Sequence, residues 1–367
     1  MQNEYMKGKG VNLSKTNISR SGLFSLRKLT QPESLDYTAI SDLGKTKFWP
    51  IILKEMLIYT KPSGFIIIKS KKIKQKMLLK SCKLLFSDKA ALRYQNKKSG
   101  TLVFQKTSPF LNKLDSIDKW TIGIITNGKK KDWIEKQIEA IRALKIPTYE
   151  IILCGTYPYE IGKDTKYINF TKQDERGWIT AKKNKILENA KYENVIVMHD
   201  RIVLNPDFLS GMKKYGNYFE VLSCKIFNDK NERCGDWITN GNPYNKYPRL
   251  GLLDYKDWDI NGWIDGGFYI LKKSVWKKIQ WDESLFWNEG EDMKLTKDWL
   301  SSGILPRFNP FSSCKTLSWR HGEFPKYDFN SYKLGKRHFS VWLEIKDRIM
   351  YQSKKLAKRI LRGPNSL

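Results

Sequence analysis

The spacing of apolar residues changes repeatedly along the chain, and each change marks an element. From residue 120 onward, short apolar runs alternate with longer stretches in which apolar positions recur every three or four residues. WTIGIIT at 120–126 reads as a buried strand and KDWIEKQIEAIRALK at 131–145 as an amphipathic helix. YEIILCG at 149–155 and KYINF at 166–170 are strand-like, ITAKKNKILENAK at 179–191 is helical, and NVIVMHD at 194–200 is again a strand. Strands alternating with helices at this interval imply right-handed crossovers and a mainly parallel sheet in an α/β fold. In open sheets of that kind ligands bind beyond the carboxyl ends of the strands, where Thr126, Asn127, Gly155 and Asp200 fall.

The earlier part of the chain is patterned differently. Residues 1–34 are polar and aperiodic and read as a flexible lead-in. Residues 35–115 predict a small α/β appendage: a strand (LDYTAISD, 35–42), a helix (WPIILKEMLIYT, 49–60), a KPSG turn, the strand FIIIK, a second helix (73–86) and a hairpin (91–106). The order strand, helix, K-P-x-G turn and apolar strand resembles the trailing half of a Rossmann-like methyltransferase. It lacks the preceding glycine-rich loop that holds a cofactor, so a structural or docking remnant is implied, and an appendage of other ancestry fits equally. Residues 116–328 form the main domain, and 329–367 predict a basic amphipathic helical tail.

Composition narrows the function. Hydrophobic residues at 40% and aromatics at 13% of 367 residues exclude a disordered chain. A net charge of +29 points to an anionic partner, whether nucleic acid, membrane surface or phosphate-rich substrate, unless it is only a lysine-rich solvated surface. The five cysteines have no paired spacing and suggest neither a zinc site nor a disulfide framework. Without a secretory leader or a long apolar window, a cytoplasmic protein is expected, with peripheral contact at the inner face of the membrane.

Three stretches carry candidate chemistry. In VIVMHDRIVLNPDF (195–208) an apolar strand ends in His199, Asp200 and Arg201, where buried charge is costly unless used or paired. A carboxylate there suits Mg2+ or Mn2+ held against a diphosphate, and equally a polar strand end capping the next turn. GWIDGGFYILKKSVW (262–276) sets Gly266 and Gly267 between Asp265 and a strand, fitting either close approach of a ligand or a plain bulge. NEGEDMKLTKDWLSSG (288–303) opens a helix with Glu291 and Asp292, which are helix-dipole partners or a general base.

In this order and spacing, 120–325 resembles an inverting glycosyltransferase of the GT-A fold, similar to the family two group of bacterial polysaccharide enzymes. The resemblance implies nucleotide contacts at Thr126, Asn127 and Gly128, with Gly155 bordering the base. It implies contacts to nucleotide or diphosphate from the AKKN segment, through Lys182, Lys183 and Asn184. The family's D-x-D motif falls on His199, Asp200 and Arg201, where this sequence departs from it. Asp200 is then the metal ligand, with His321 as a further candidate, or Arg201 neutralises the diphosphate directly through its fork of donors. Gly266, Gly267, Asp265 and Trp287 are implied in the sugar and acceptor pocket, with Asp292 as base and Glu291 as its orienting partner. A nucleotide-sugar donor, a glycan or lipid-linked glycan acceptor and a divalent cation, Mn2+ or Mg2+, follow as co-substrates and cofactor.

The basic tail, with Trp342, Leu343, Ile349, Leu356, Ile360 and Leu361 among lysines and arginines, suits an anionic membrane surface, or packing on its own domain. A nucleic-acid-binding protein is not expected, because basic residues are dispersed and no zinc-finger or RNP-type motif occurs. A catalytically inactive glycosyltransferase-like binding module is the other alternative, since the acidic metal motif is degraded.

Overall fold

A computed structural model describes residues 2–13, 30–41, 43, 48–111, 115–239 and 251–318. The expected His321 and the basic tail lie outside these residues.

The first unit is a five-stranded sheet with two helices. Its elements are β1 (Gly10–Asn12), β2 (Leu35–Ile40), α1 (Trp49–Tyr59), β3 (Thr60–Lys69), α2 (Gln75–Phe86), β4 (Ala90–Asn96) and β5 (Thr101–Lys106). They are ordered β1-β2-β3-β5-β4, parallel from β1 to β3 and antiparallel thereafter. Residues expected to lead in without structure instead supply β1 and part of a cover for the sheet: the Tyr5 ring meets Phe65 edge-on at 5.1 Å between centroids. Polar composition hid this, because an edge strand of three residues needs backbone partners rather than apolar side chains.

The second unit begins with β6 (Lys119–Thr126), α3 (Lys131–Ala143), β7 (Thr148–Gly155), β8 (Thr165–Asn169), α4 (Ile179–Asn189) and β9 (Asn194–His199). Then come β10 (Ile202–Leu204), α5 (Phe208–Tyr215), β11 (Val221–Phe227), and β12 (Ile238–Thr239), β13 (Gly251–Leu252) and β14 (Gly262–Trp263) of a small separate sheet. It ends with β15 (Phe268–Lys272), α6 (Lys273–Lys278), α7 (Glu291–Ser301) and β16 (Pro306–Thr316). The eight-stranded sheet runs β10-β16-β11-β15-β9-β6-β7-β8.

The half from β8 to β9 is wholly parallel and β16 runs parallel to β11, while β15 runs antiparallel to both β9 and β11 and β10 to β16, so four of the seven pairings are parallel. The glycine pair before β15 lies beside the end of β9, the Gly267 carbonyl accepting from the His199 amide at 3.0 Å. Strand ends stay aligned: Ile125 is level with His199, and Thr126 with Gly155.

The two units share a core. Helix α1 is buried nearly all round, as its continuous apolar run demands. Its residues cluster with Trp237, Tyr269, Trp299 and Phe308 of the second unit. Its two charges are paired across the junction, Lys54 with Glu220 at 3.0 Å and Glu55 with Arg307.

Candidate active site

Strand β6 ends in Thr126, whose hydroxyl donates to Asp200 Oδ2 at 3.1 Å and accepts from the Gly128 amide at 3.0 Å. One short polar side chain thus ties the turn after β6 to the acid after β9. Gly155 closes the same edge at φ +137°, where a Cβ would stand 2.0 Å from the Thr126 carbonyl oxygen. Only glycine permits that approach. Asn127 folds back locally, accepting from the Lys129 amide at 3.2 Å.

Asp200 is half-buried. Burial pushes its carboxyl upward, and Thr126, Arg201 and Lys182 oppose the shift. Asp265 is raised by burial as well, with Arg201 the strongest opposing influence. Arg201 and Asp265 face one another across Gly267, because a Cβ built there would lie 2.9 Å from Asp265 Oδ2 and 3.3 Å from Arg201 Nη2. The Gly267 carbonyl accepts from the His199 amide at 3.0 Å, which fixes the loop to the end of β9. His199 enters the site through its backbone at this point, and its own carbonyl accepts from Gln137 at 2.9 Å.

The Glu291/Asp292 pair meets the same loop from the other side. Gly290, at φ +79°, caps α7 and turns both carboxylates into its first turn. The Gly266 amide donates to Asp292 Oδ2 at 3.2 Å, and a Cβ on Gly266 would stand 2.6 Å from Glu291 Oε1. Asp265, Gly266 and Gly267 therefore join the end of β9 to the start of α7. Asp200 and the carboxylate pair, about ninety positions apart in sequence, converge on one loop. Burial drives Asp292 up to about 7, aided by the charges of Glu291 and Asp265. A helix N-terminus ordinarily favours ionised acids by 0.3–1 kcal/mol. Here desolvation outweighs it.

The AKKN segment departs from expectation. Helix α4 turns Lys182, Lys183 and Asn184 inward instead of toward a diphosphate. Lys182 Nζ donates to the Thr126 carbonyl at 2.6 Å and pairs with Asp174. Lys183, fully buried, donates to the Gly266 carbonyl at 2.8 Å and pairs with Glu291 at 3.3 Å, above the rings of Tyr269 and Trp281. Asn184 Nδ2 donates to the Trp281 carbonyl and to Glu283, each at 2.9 Å, while its Oδ1 accepts from the Trp276 indole at 3.0 Å. A buried polar group must be hydrogen-bonded, and these three spend their donors on the protein. They brace the site from beneath.

Trp287 stands at the rim, 37% exposed, and its amide donates to the Gly177 carbonyl at 3.0 Å. Beside it Trp178 and Phe286 stack at 5.9 Å, with the Arg176 guanidinium 4.0 Å from the Phe286 centroid. Gln137 and Asp174 were missed in the sequence. Gln137 was legible as the one polar residue in the buried stripe of α3 (Ile134, Gln137, Ile138, Ile141), and it also donates to the Ile202 carbonyl at 2.5 Å. Asp174, paired with Lys182 and bonded to Thr156, had no local signal.

Among the described residues a divalent cation finds few donors here, and His321, the other ligand expected, lies outside them. Among the described residues no three His, Cys, Asp or Glu side chains gather to hold a metal ion. Asp200 contributes one carboxylate, its Oδ2 already accepts from Thr126, and a guanidinium rather than a second acid follows it in the chain.

No protein-family model matches the chain, and no curated protein matches it in sequence. Among solved structures, GalNAc-T7 with UDP, GalNAc and Mn2+ superposes with a TM-score of 0.43 at 10% identity, over 57% of this chain and 45% of that one. S. aureus TarS 1–349 superposes with a TM-score of 0.36 at 12% identity, over 54% of this chain and 60% of that one. Both are GT-A-like glycosyltransferases, and the chain spans less than two thirds of the length of either. At these scores the likeness carries no functional weight, and what the site can do rests on its own geometry.

Proposed function

We propose that the chain is an inverting GT-A glycosyltransferase that moves a sugar from a nucleotide-sugar donor to a hydroxyl of a glycan or lipid-linked glycan, in cell-surface polysaccharide synthesis. The observation that carries this reading is Asp292, a carboxyl raised to about 7 beside the Gly266 amide, on a loop that also meets Arg201. A base with its pKa near the working pH is both available and strong enough to matter. Asp292 takes the proton of the acceptor hydroxyl, and that oxygen bonds to the anomeric carbon. The bond from that carbon to the diphosphate oxygen breaks, and its electron pair leaves with the diphosphate.

Arg201 supplies the fork of donors that stabilises the departing charge. Glu291, paired with Lys183, orients Asp292 and raises its proton affinity. Thr126, Asn127, Gly128 and Gly155 border the nucleotide, and Asp265, Gly267 and Trp287 border the sugar and acceptor. Asp200 holds the turn at Thr126 in register with Arg201.

The test is a panel of sugar nucleotides, each with and without Mn2+, read by melting temperature. A donor at about a hundredfold over its Kd stabilises by about 2.7 kcal/mol. One donor raising the melting temperature, with transfer lost in Asp292→Asn while that rise persists, supports the reading; no rise with any donor overturns it.

A further inference from the structure

We propose that the solvent face of α2, in the first unit, is a docking surface for the anionic face of a lipid bilayer. Between Glu55 and Asp88 the sequence contains no acidic residue. Lys71, Lys72, Lys74, Lys76, Lys80 and Lys83 fall in this interval, and all six are exposed. Leu78, Cys82, Leu85 and Phe86 face the core, so Lys76, Lys80 and Lys83, at i, i+4 and i+7, share the opposite face. None of the six pairs with a carboxylate among the described residues. The β4–β5 turn brings exposed Lys97 and Lys98 to the start of the same helix, where Gln75 Nε2 donates to the Asn96 carbonyl at 2.9 Å.

Two features separate this face from an ordinary solvated helix. Lys74 is the N-cap and Lys76 lies in the first turn, with no acid there, so positive charge stands at the positive end of the helix dipole. That arrangement is unfavourable until a negatively charged surface covers it. The second feature is apolar: Met77, 53% exposed, stands beside Lys80 on the same face, and Leu84, 40% exposed, continues it to where the helix end meets Gly303 of the second unit. A soluble polyanion has no use for them, whereas a bilayer interface takes methionine and leucine side chains below a layer of lysine ammonium groups. Each lysine near an anionic bilayer adds an increment of affinity, so several on one face suffice for reversible binding.

This inference is independent of the transferase reading. It is tested by co-sedimentation of the full chain with phosphatidylcholine vesicles, with and without phosphatidylglycerol. The intact chain is expected to bind only the vesicles containing phosphatidylglycerol, and less as salt rises. Lys76→Gln, Lys80→Gln and Lys83→Gln together should weaken binding tenfold or more. Met77→Ser should weaken it severalfold while the salt dependence stays. All four positions are exposed, so melting temperatures of the variants should match that of the intact chain and exclude misfolding. Absence of binding by the intact chain, or undiminished binding by the triple variant, which would assign attachment to another segment, overturns the proposal. So does a loss of heparin binding in the triple variant with vesicle binding unchanged.

Discussion

A carboxyl raised to about 7 by burial and by two neighbouring acids alters how stability depends on pH, and Asp292 is that group. In the unfolded chain an aspartate titrates near about 3.9, so between about pH 4 and pH 7 the folded state binds the extra proton. Stability from this group is therefore present at low pH, falls as pH rises through that window, and is gone above about 7. Asn cannot ionise, so Asp292→Asn should melt with the wild type near pH 4 and above it at pH 8. Thermal scans across this range check the sign. In the same variant transfer should be lost, and in the wild type kcat/KM should rise with pH through about 7 as the base deprotonates. Lys183→Met is the converse case: it leaves Glu291 buried without its ion pair, at a cost of about 3–5 kcal/mol in denaturant unfolding. The neighbouring lysines mark a limit of sequence reading. Thr126, Asp200, Gly266, Glu291 and Asp292 were legible because strand and helix ends fix where they point. Lys182, Lys183 and Asn184 lie within a helix, and which flank of that helix is covered depends on Trp276, Trp281 and Glu291, about ninety residues or more away.

At the scale of elements, the repeated β-α-β pattern from β6 to β9 was legible because each element has its own periodicity. Strand β16 was not. It contains Pro306 and Pro310, and against β11 its register jumps, Cys224 opposing Asn309 and Lys225 opposing Ser313, so residues 310–312 bulge out of the ladder. A proline in such a run argues against a strand unless a bulge takes it, and the bulge exists only once β11 is alongside. Helix α5 fixes it there, Ser312 Oγ donating to the Phe208 carbonyl at 2.8 Å. The junction of β6 and β7 is governed by a glycine instead, and two alanine substitutions separate its causes. Gly216 ends α5 at φ +90° with nothing within 4 Å of a built Cβ, so Gly216→Ala meets backbone strain alone, on the order of 1–3 kcal/mol. Gly155→Ala adds to such strain a clash with the Thr126 carbonyl and should cost more. Urea midpoints of the two variants, compared at constant slope, test the ordering.

Over the whole molecule, the sequence reads as an appendage over 35–115 followed by a main domain from 116. Packing joins them. Asp115 pairs with Lys272 at 2.6 Å, and that ammonium also reaches Asn194 and Asn217 at 2.6 and 2.9 Å, so the connecting segment is fastened to the end of β15. The buried Glu55–Arg307 pair spans the junction, between α1 and β16. If the shared core makes the two units one cooperative body, damage at this pair must lower the stability of both together. Arg307→Met breaks this buried pair and should cost about 3–5 kcal/mol. Adding Glu55→Met replaces the whole pair and should restore most of the loss, because a buried ion pair replaced by apolar side chains is often neutral. Far-ultraviolet circular dichroism and tryptophan fluorescence should trace one urea transition in all three proteins, displaced only in Arg307→Met. Two transitions in that variant, with one left at its original midpoint, would instead mean that the first unit folds as a separate domain whose contacts with the sheet add little.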